Sequence, residues 1–253
     1  MLQRDVSTAG AWRASLSRSI RLLSEFRHEP SHPARFYSVI ADDSVRQLSQ
    51  YVDLDGRSML DVGGGPGYFR SAFEAAGVHY ISLDVEVATH DEADEHPRRA
   101  VVGSGMQLPF ATGSIDVVYS SNVLEHVAEP WKMADEMLRV TRPGGVTFLA
   151  YTVWHGPWGG HETSPWHYLG GRFARRRYTR RHGHEPKNKF GESLFAVSAR
   201  SGLRWAAAQH ESELVEAMPR YNPRWSYWML RVPLLREFVT WNLVLVLRKP
   251  VTT

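Results

Sequence analysis

The stretch "SMLDVGGGPGYF", residues 58–69, places glycine or proline at five consecutive positions, 63–67, behind a short apolar run that contains an acid. Few folds have a use for that order of residues. A glycine-rich turn between a strand and a helix lets backbone approach a ligand closely and aims the free N–H groups of the helix start at it. In open α/β sheets such turns lie beyond the carboxyl ends of strands, where ligands bind. The spacing here is D-x-G-x-G-x-G, through Asp61, Gly63, Gly65 and Gly67. Tyr68 stands where a dinucleotide fingerprint would have its last glycine. A carboxylate at this point repels a pyrophosphate and suits a ligand that carries an ammonium group.

The surrounding chain agrees with an α/β reading. "HYISLDV", "RAVVGS", "IDVVYSS" and "VTFLAYTV" are short apolar runs of strand length. "YFRSAFEAAG" and "WKMADEMLRVT" have helical periodicity, the second closed by "RPGG". That alternation predicts βαβ units and a parallel sheet with right-handed crossovers. Residues 12–29 and 38–52 carry apolar residues at helical spacing, separated by "HEPSHP", and predict two helices ahead of the sheet. After about residue 153 the rhythm stops at "WHGPWGGHETSPWHYLGG", a loop rich in Gly, Trp and His. Farther on, "GESLFAVSARSG" predicts a helix, "LRWAAAQ" a strand, "MPRYNPRWSYWMLRVPLLREF" a partly helical stretch and "TWNLVLVLRKP" the last strand. The expected organisation is an N-terminal helical cap, residues 1–55, and a ligand-binding domain, residues 56–253, with an insertion at about 154–190.

Composition narrows the function. There are no cysteines, which excludes disulfides, thiolate nucleophiles and Cys-ligated zinc. The polar start of the chain lacks the apolar centre of a signal peptide, and no eighteen-residue apolar run exists, so a cytoplasmic protein without a membrane span is expected. The formal net charge of +3 is uneven. Residues 84–96, "DVEVATHDEADEH", are acidic, whereas residues 172–189 carry six arginines and two lysines against one glutamate. The basic run reads as a solvated face or as a grip on an anionic partner.

Asp84 ends the second strand, where a carboxylate accepts hydrogen bonds from two ribose hydroxyls. With the glycine turn, with "GSGMQLPFATGSIDVVYSSNVLEHV" and with "MLRVTRPGG", residues 56–153 resemble the class I S-adenosylmethionine-dependent methyltransferases. The resemblance implies a seven-stranded, mostly parallel Rossmann-like sheet with helices on both faces and an antiparallel last strand. It also implies S-adenosylmethionine as cofactor. Asp61, Gly63, Gly64, Gly65 and Gly67 would then meet its methionine moiety, and Asp84 its ribose. Gly105, Met106 and Gln107 would lie along the adenine, and Ser121 and Asn122 near the methionine end. Relatives often place an acid after the third strand where this chain has Ser104-Gly105, so adenine binding without an ionic acceptor is expected. Gly145 reads as a turn residue only.

Methyl transfer is an in-line displacement that needs an aligned acceptor, a dry site and, for a hydroxyl, removal of a proton. The loops after the fourth and fifth strands face the methyl group in this fold. They hold Glu125 and His126, then His155, His161, Glu162 and His167. His155 is the first candidate for the base, because it follows the fifth strand among Trp154, Pro157 and Trp158. His126 and His161 stand behind it, and His126 reads equally well as a packing residue. The same histidines with Glu162 suggest a divalent cation, but their spacing matches no standard zinc pattern and no protein-bound metal is expected.

Trp154, Trp158 and Trp166 with Tyr151 and Tyr168 suit stacking on a sugar or aromatic acceptor. Tyr221, Trp225, Tyr227 and Trp228 suit a second pocket wall, core, or the interface of a homodimer. The expected activity is O-methylation of a hydroxyl on a glycan or other small molecule, with histidine-assisted deprotonation. A carbon methyltransferase of quinone or lipid type is the nearest alternative. An RNA-modifying enzyme gripping phosphates with residues 172–189 is another, although nucleic acid is not an expected partner.

Overall fold

The computed structural model describes residues 12–26, 33–86 and 100–251. The first five residues of "HEPSHP" and the acidic residues 87–96 therefore lie outside the described residues.

Seven strands form one sheet: β1 (Ser58–Val62), β2 (His79–Asp84), β3 (Ala100–Val102), β4 (Ile115–Ser121), β5 (Thr141–Thr152), β6 (Glu213–Pro219) and β7 (Asn242–Arg248), in the order β3-β2-β1-β4-β5-β7-β6. β1 to β5 are parallel, and β7 runs antiparallel to both β5 and β6. Strand order reverses between β1 and β4, the place where ligands bind in such sheets.

Alternation along the strands supplies two cores. Leu60, Val118, Leu149 and Leu245 point to one face, where helix α4 (Pro130–Val140) adds Met133 and Met137 and helix α6 (Ala199–Ala207) adds Trp205. Met59, Val117, Phe148 and Val246 point to the other. There they meet Leu22 of helix α1 (Leu16–Phe26), Phe36 and Ile40 of helix α2 (Pro33–Leu48), and Phe73 of helix α3 (Arg70–Ala75). Each of these buried side chains contributes about 1.5–3 kcal/mol. A buried ion pair, Arg18 Nη2 to Asp43 Oδ2 at 2.5 Å, ties α1 to α2, and Arg18 Nη1 donates to the Arg220 carbonyl at 2.7 Å. Among the described residues, no helix is long and apolar enough to cross a membrane.

The structure departs from the sequence expectations in five places, the first being "GESLFAVSARSG", where residues 191–198 are turn and irregular chain and the helix begins only at Ala199. α2 begins at Pro33, ahead of residue 38, since proline is well suited to a first helical position. "LRWAAAQ" is largely the end of α6 and not a strand. Ser198 caps that helix reciprocally with Ser201, and the alanines favour it intrinsically. The sixth strand lies instead in "ELVEAMP", whose alternation is broken by a register shift between Leu214 and Glu216. "RPGG" is not a turn before β5 but a bulge inside it, because pairing jumps from Ile115↔Thr141 to Val117↔Val146. Gly145 in that bulge is more than a turn residue: a Cβ there would sit 2.7 Å from the Asp116 carbonyl.

Candidate active site

The glycine turn leaves β1 and forms one side of a cleft of about 940 Å³ at the carboxyl ends of β1 and β4. Gly63 has φ +81°, and a Cβ on it would sit 2.6 Å from Val123 Cγ1, so the turn is pressed against the segment that follows β4. Gly64 N–H and Gly63 N–H both donate to the Leu83 carbonyl, which holds the turn against the end of β2. The backbone of Gly63, Gly64 and Gly65 is thus presented to the cleft without side chains in the way, with Pro66 lining it next.

Asp61 lines the cleft although it is only 2 % exposed, and its Oδ2 accepts a hydrogen bond from Tyr80 Oη. Burial pushes its carboxyl up to about 7, against the opposing effect of the Tyr80 bond. A buried acid poised in this way gains from a cation beside it. Asp84 Oδ2 accepts from Gly65 N–H at 2.9 Å and Oδ1 from Val85 N–H at 2.7 Å, so the second acid braces the turn while each oxygen keeps a further lone pair. A bare backbone cradle between two acids fits a ligand that carries an ammonium group and vicinal hydroxyls.

Gly105, Met106 and Gln107, expected along the adenine, are not among the residues that line this cleft. Gly105 packs closely on Met133 and Val62, and Met106 joins the apolar core under α4. Ser104 Oγ accepts the N–H of Met106 at 3.2 Å and closes that loop on itself.

Ser121 and Asn122 line the far wall. Each is held from behind by a residue with no sequence signal. Arg220, 1 % exposed, donates from Nη1 to Ser121 Oγ at 2.7 Å, and Asn242 Nδ2 donates to Asn122 Oδ1 at 2.6 Å. Asn122 (φ 58°) and His161 (φ 49°) are two of the three described non-glycine residues in the left-handed region, and both line the cleft. Such conformations persist only where the surroundings enforce them, often at functional sites.

The cleft continues into a side pocket of about 150 Å³ lined by Glu125, His126, Thr152, Trp158, His161 and Lys187, among others. Glu125 is 1 % exposed. Its Oε1 accepts from Thr152 N–H at 3.1 Å, while its Oε2 has no hydrogen-bond partner among the described residues. The His126 and His161 rings stand edge to face, 5.1 Å between centroids. Burial holds the His161 imidazole below its ordinary value, so it is neutral with a lone pair available near pH 7. Phe26 of α1 and Phe36 and Tyr37 of α2 form part of the pocket wall, as do Tyr221 and Trp241.

The other sequence candidates are placed elsewhere. His155 is not among the residues that line the cleft or the side pocket; its ring packs against Phe238, 5.7 Å between centroids. The chain turns sharply at Gly156, whose close approach to the Thr240 carbonyl carries this part of the loop toward α7 (Leu235–Val239). His167 is 1 % exposed and packs between Trp154 and Gly160. Glu162 lines the cleft but accepts from Asn188 N at 2.6 Å and Nδ2 at 2.9 Å, which fixes the segment bearing Lys187, itself a lining residue. Of the three loop tryptophans only Trp158 reaches the cleft, Trp154 being buried and Trp166 lying under Arg177 at 3.9 Å. Tyr221 serves the side pocket, while Trp225 and Trp228 are exposed on the outer surface.

The arginine run forms helix α5 (Gly171–His182). Arg175 pairs with Glu185 and Glu192, and none of the arginines of α5 is among the lining residues of the cleft.

A doubly wound sheet with an acid-flanked glycine turn at its switch point is an arrangement that binds a small ligand beyond the strand ends, and similarity to known proteins narrows the class. Residues 60–149 match the family described as Methyltransferase domain. An uncharacterized methyltransferase of Mycolicibacterium vanbaalenii is 55% identical over 250 residues, which covers 93% of this chain and 96% of that protein. One of Mycobacterium marinum is 56% identical over 247 residues, covering 94% and 96%. The structure of an S-adenosylmethionine-dependent methyltransferase from Mesorhizobium loti shares the fold, with a TM-score of 0.56 at 15% identity over 83% of this chain and 98% of that one. The chain belongs to the class I S-adenosylmethionine-dependent methyltransferase family.

Proposed function

We propose that this methyltransferase acts on a hydroxyl of a glycan or other small molecule, placed in the side pocket by its aromatic walls and deprotonated by His161. The observation that supports this reading is the convergence of Glu125, His126 and His161 where the cleft meets the side pocket. A carbon acceptor of quinone type needs a wide apolar pocket, whereas this one is small and edged by Glu125, Lys187 and Asn188. Transfer to RNA gains little from residues 172–189, because Tyr178, His184 and Lys187 line the cleft but none of the arginines of α5 does.

When bound, S-adenosylmethionine supplies a methyl group on a positively charged sulfur. Asp61 and the glycine turn would hold its amino-acid end and Asp84 its ribose, while Gly105, Met106 and Gln107 stand outside the cleft lining and would at most support the adenine end from behind. Tyr37 stacked on Tyr68, with Trp158, keeps water from the methyl position. Nε2 of His161 takes the acceptor proton, and Ser121 and Asn122, fixed by Arg220 and Asn242, set the wall against which the acceptor is aligned. The helices of residues 1–55 act as a cap, as the walls from α1 and α2 suggest.

His161→Ala is expected to lower kcat by about 10²–10⁴ while S-adenosylhomocysteine affinity stays within about twofold of wild type. Turnover equal to wild type would remove His161 from the proton-transfer role.

A further inference from the structure

We propose that Glu125, His126 and His161 form a binding site for a borderline divalent cation of the Zn²⁺ class on the acceptor side of the cleft. One ligand atom from each residue lies within 4.8 Å of the others. Two independent features support a ligand set over a packing cluster.

The first is the state of the imidazoles. His126 Nδ1 faces the Ser193 carbonyl at 2.7 Å and His161 Nδ1 faces the Gly159 carbonyl at 3.4 Å. A carbonyl only accepts, so each Nδ1 carries the proton and each Nε2 keeps its lone pair. Metal-ligating histidines are held in this way, with the second ring nitrogen donating to a backbone carbonyl. The second is Glu125, whose carboxyl group is buried with Oε2 lacking a hydrogen-bond partner among the described residues. Leaving a charged acceptor buried and unpaired is costly, and a cation removes that cost.

The donor set also selects the kind of ion. Two imidazoles and one carboxylate suit Zn²⁺ and its first-row neighbours, whereas Mg²⁺ and Ca²⁺ take mainly oxygen ligands. Tetrahedral ligands at about 2.1 Å from a metal are about 3.4 Å apart, so a spread of 4.8 Å closes by small side-chain rotations. Three protein ligands leave a position open toward the side pocket, the arrangement of catalytic sites and not of closed structural ones. The sequence reading looked for ligands among His155, His161, Glu162 and His167. The structure instead takes two from the segment after β4 and one from the loop after β5.

The role of the ion rests on the hydroxyl reading above. A cation here would polarise the acceptor hydroxyl and lower its pKa, so that the proton is lost to solvent at the open mouth of the cleft before the methyl group is transferred, and coordination then replaces the free Nε2 of His161 as the means of deprotonation.

The test begins with chelator-treated full-length protein titrated with Zn²⁺ by calorimetry, and with Co²⁺ followed by its visible absorption. Expected is one equivalent per chain, weakened at least tenfold in His126→Gln and in His161→Gln and unchanged in His182→Gln, which alters an exposed histidine on α5. Glu125→Gln keeps an acceptor for Thr152 N–H and is expected to weaken the metal similarly. S-adenosylhomocysteine affinity should be the same in all four variants. No saturable binding, or one equivalent that His161→Gln leaves intact, would overturn the site. Saturable binding that these variants remove upholds it even where no hydroxyl accepts a methyl group, an outcome that overturns only the acceptor reading. Methyl transfer to a hydroxyl by protein that binds no metal overturns only the metal site.

Discussion

Asp61 gives the sharpest quantitative expectation. Its carboxyl is buried and pushed up to about 7, so near neutrality the free protein holds it only partly ionised. A ligand ammonium binds the ionised form. For a group titrating at 7, the ionised fraction is roughly 0.9 at pH 8 and roughly 0.03 at pH 5.5, so affinity should fall about 30-fold across that interval. The assay is calorimetric titration with S-adenosylhomocysteine at half-unit steps of pH, on wild type and on Asp61→Asn. Wild type should show the decline with one proton taken up per ligand released at low pH, and the variant should be weak and flat. The same group has a consequence for stability. Its folded value lies above the ordinary 3.8, so stability is greatest below that value and is lost as pH rises toward 7, by up to about 4 kcal/mol. Asp61→Asn should therefore raise Tm at pH 8 and leave it nearly unchanged at pH 4. A flat wild-type affinity profile, or a variant less stable at pH 8, would refute this account of Asp61.

Gly63→Ala must adopt φ +81° and press a methyl group on Val123, so a loss of about 3 kcal/mol is expected together with weaker cofactor binding, read by urea unfolding and calorimetry. Wild-type stability would show that the turn is looser than its packing implies. Arg18→Met leaves Asp43 buried with only partial compensation from Arg21 and Trp12, and about 3 kcal/mol should be lost; a loss under about 1 kcal/mol would contradict the pairing. His155→Ala should keep turnover within about threefold, since its ring packs on Phe238, and a drop like that of His161→Ala would return His155 to the site.

Much of the fold was legible because its signals are local. The run from Ser58 to Val62, the acid at Asp61 and the glycines behind it define strand, turn and ligand preference within one stretch, and β4 and β7 read just as directly. β6 was not legible. Glu213, Leu214, Val215 and Glu216 do not alternate cleanly, because a register shift lets the strand follow β7 without obeying a period of two. α6 misled for the opposite reason, since Leu203 and Trp205 alternate as in a strand while Ser198 and Ser201 set a helix. On the cofactor side, adjacency in sequence carried the reading. On the acceptor side it failed. His155 is next to the fifth strand in sequence yet turns away at Gly156, while Arg220 and Asn242 reach the site from residues 99 and 120 positions distant from their partners. Nothing local in "MPRYNP" announces a buried arginine behind Ser121, because its use depends on β6 and β7 folding back beside β5.

The most direct test of the hydroxyl reading is transfer of a labelled methyl group from S-adenosylmethionine to panels of glycans, phenols, quinols and RNA, with the modified atom located by mass spectrometry and NMR. The expected result is label on a hydroxyl oxygen of a glycan or other small molecule, abolished in Asp61→Asn and strongly reduced in His161→Ala. Label on a carbon atom or on RNA, with hydroxyl acceptors inert, would contradict it.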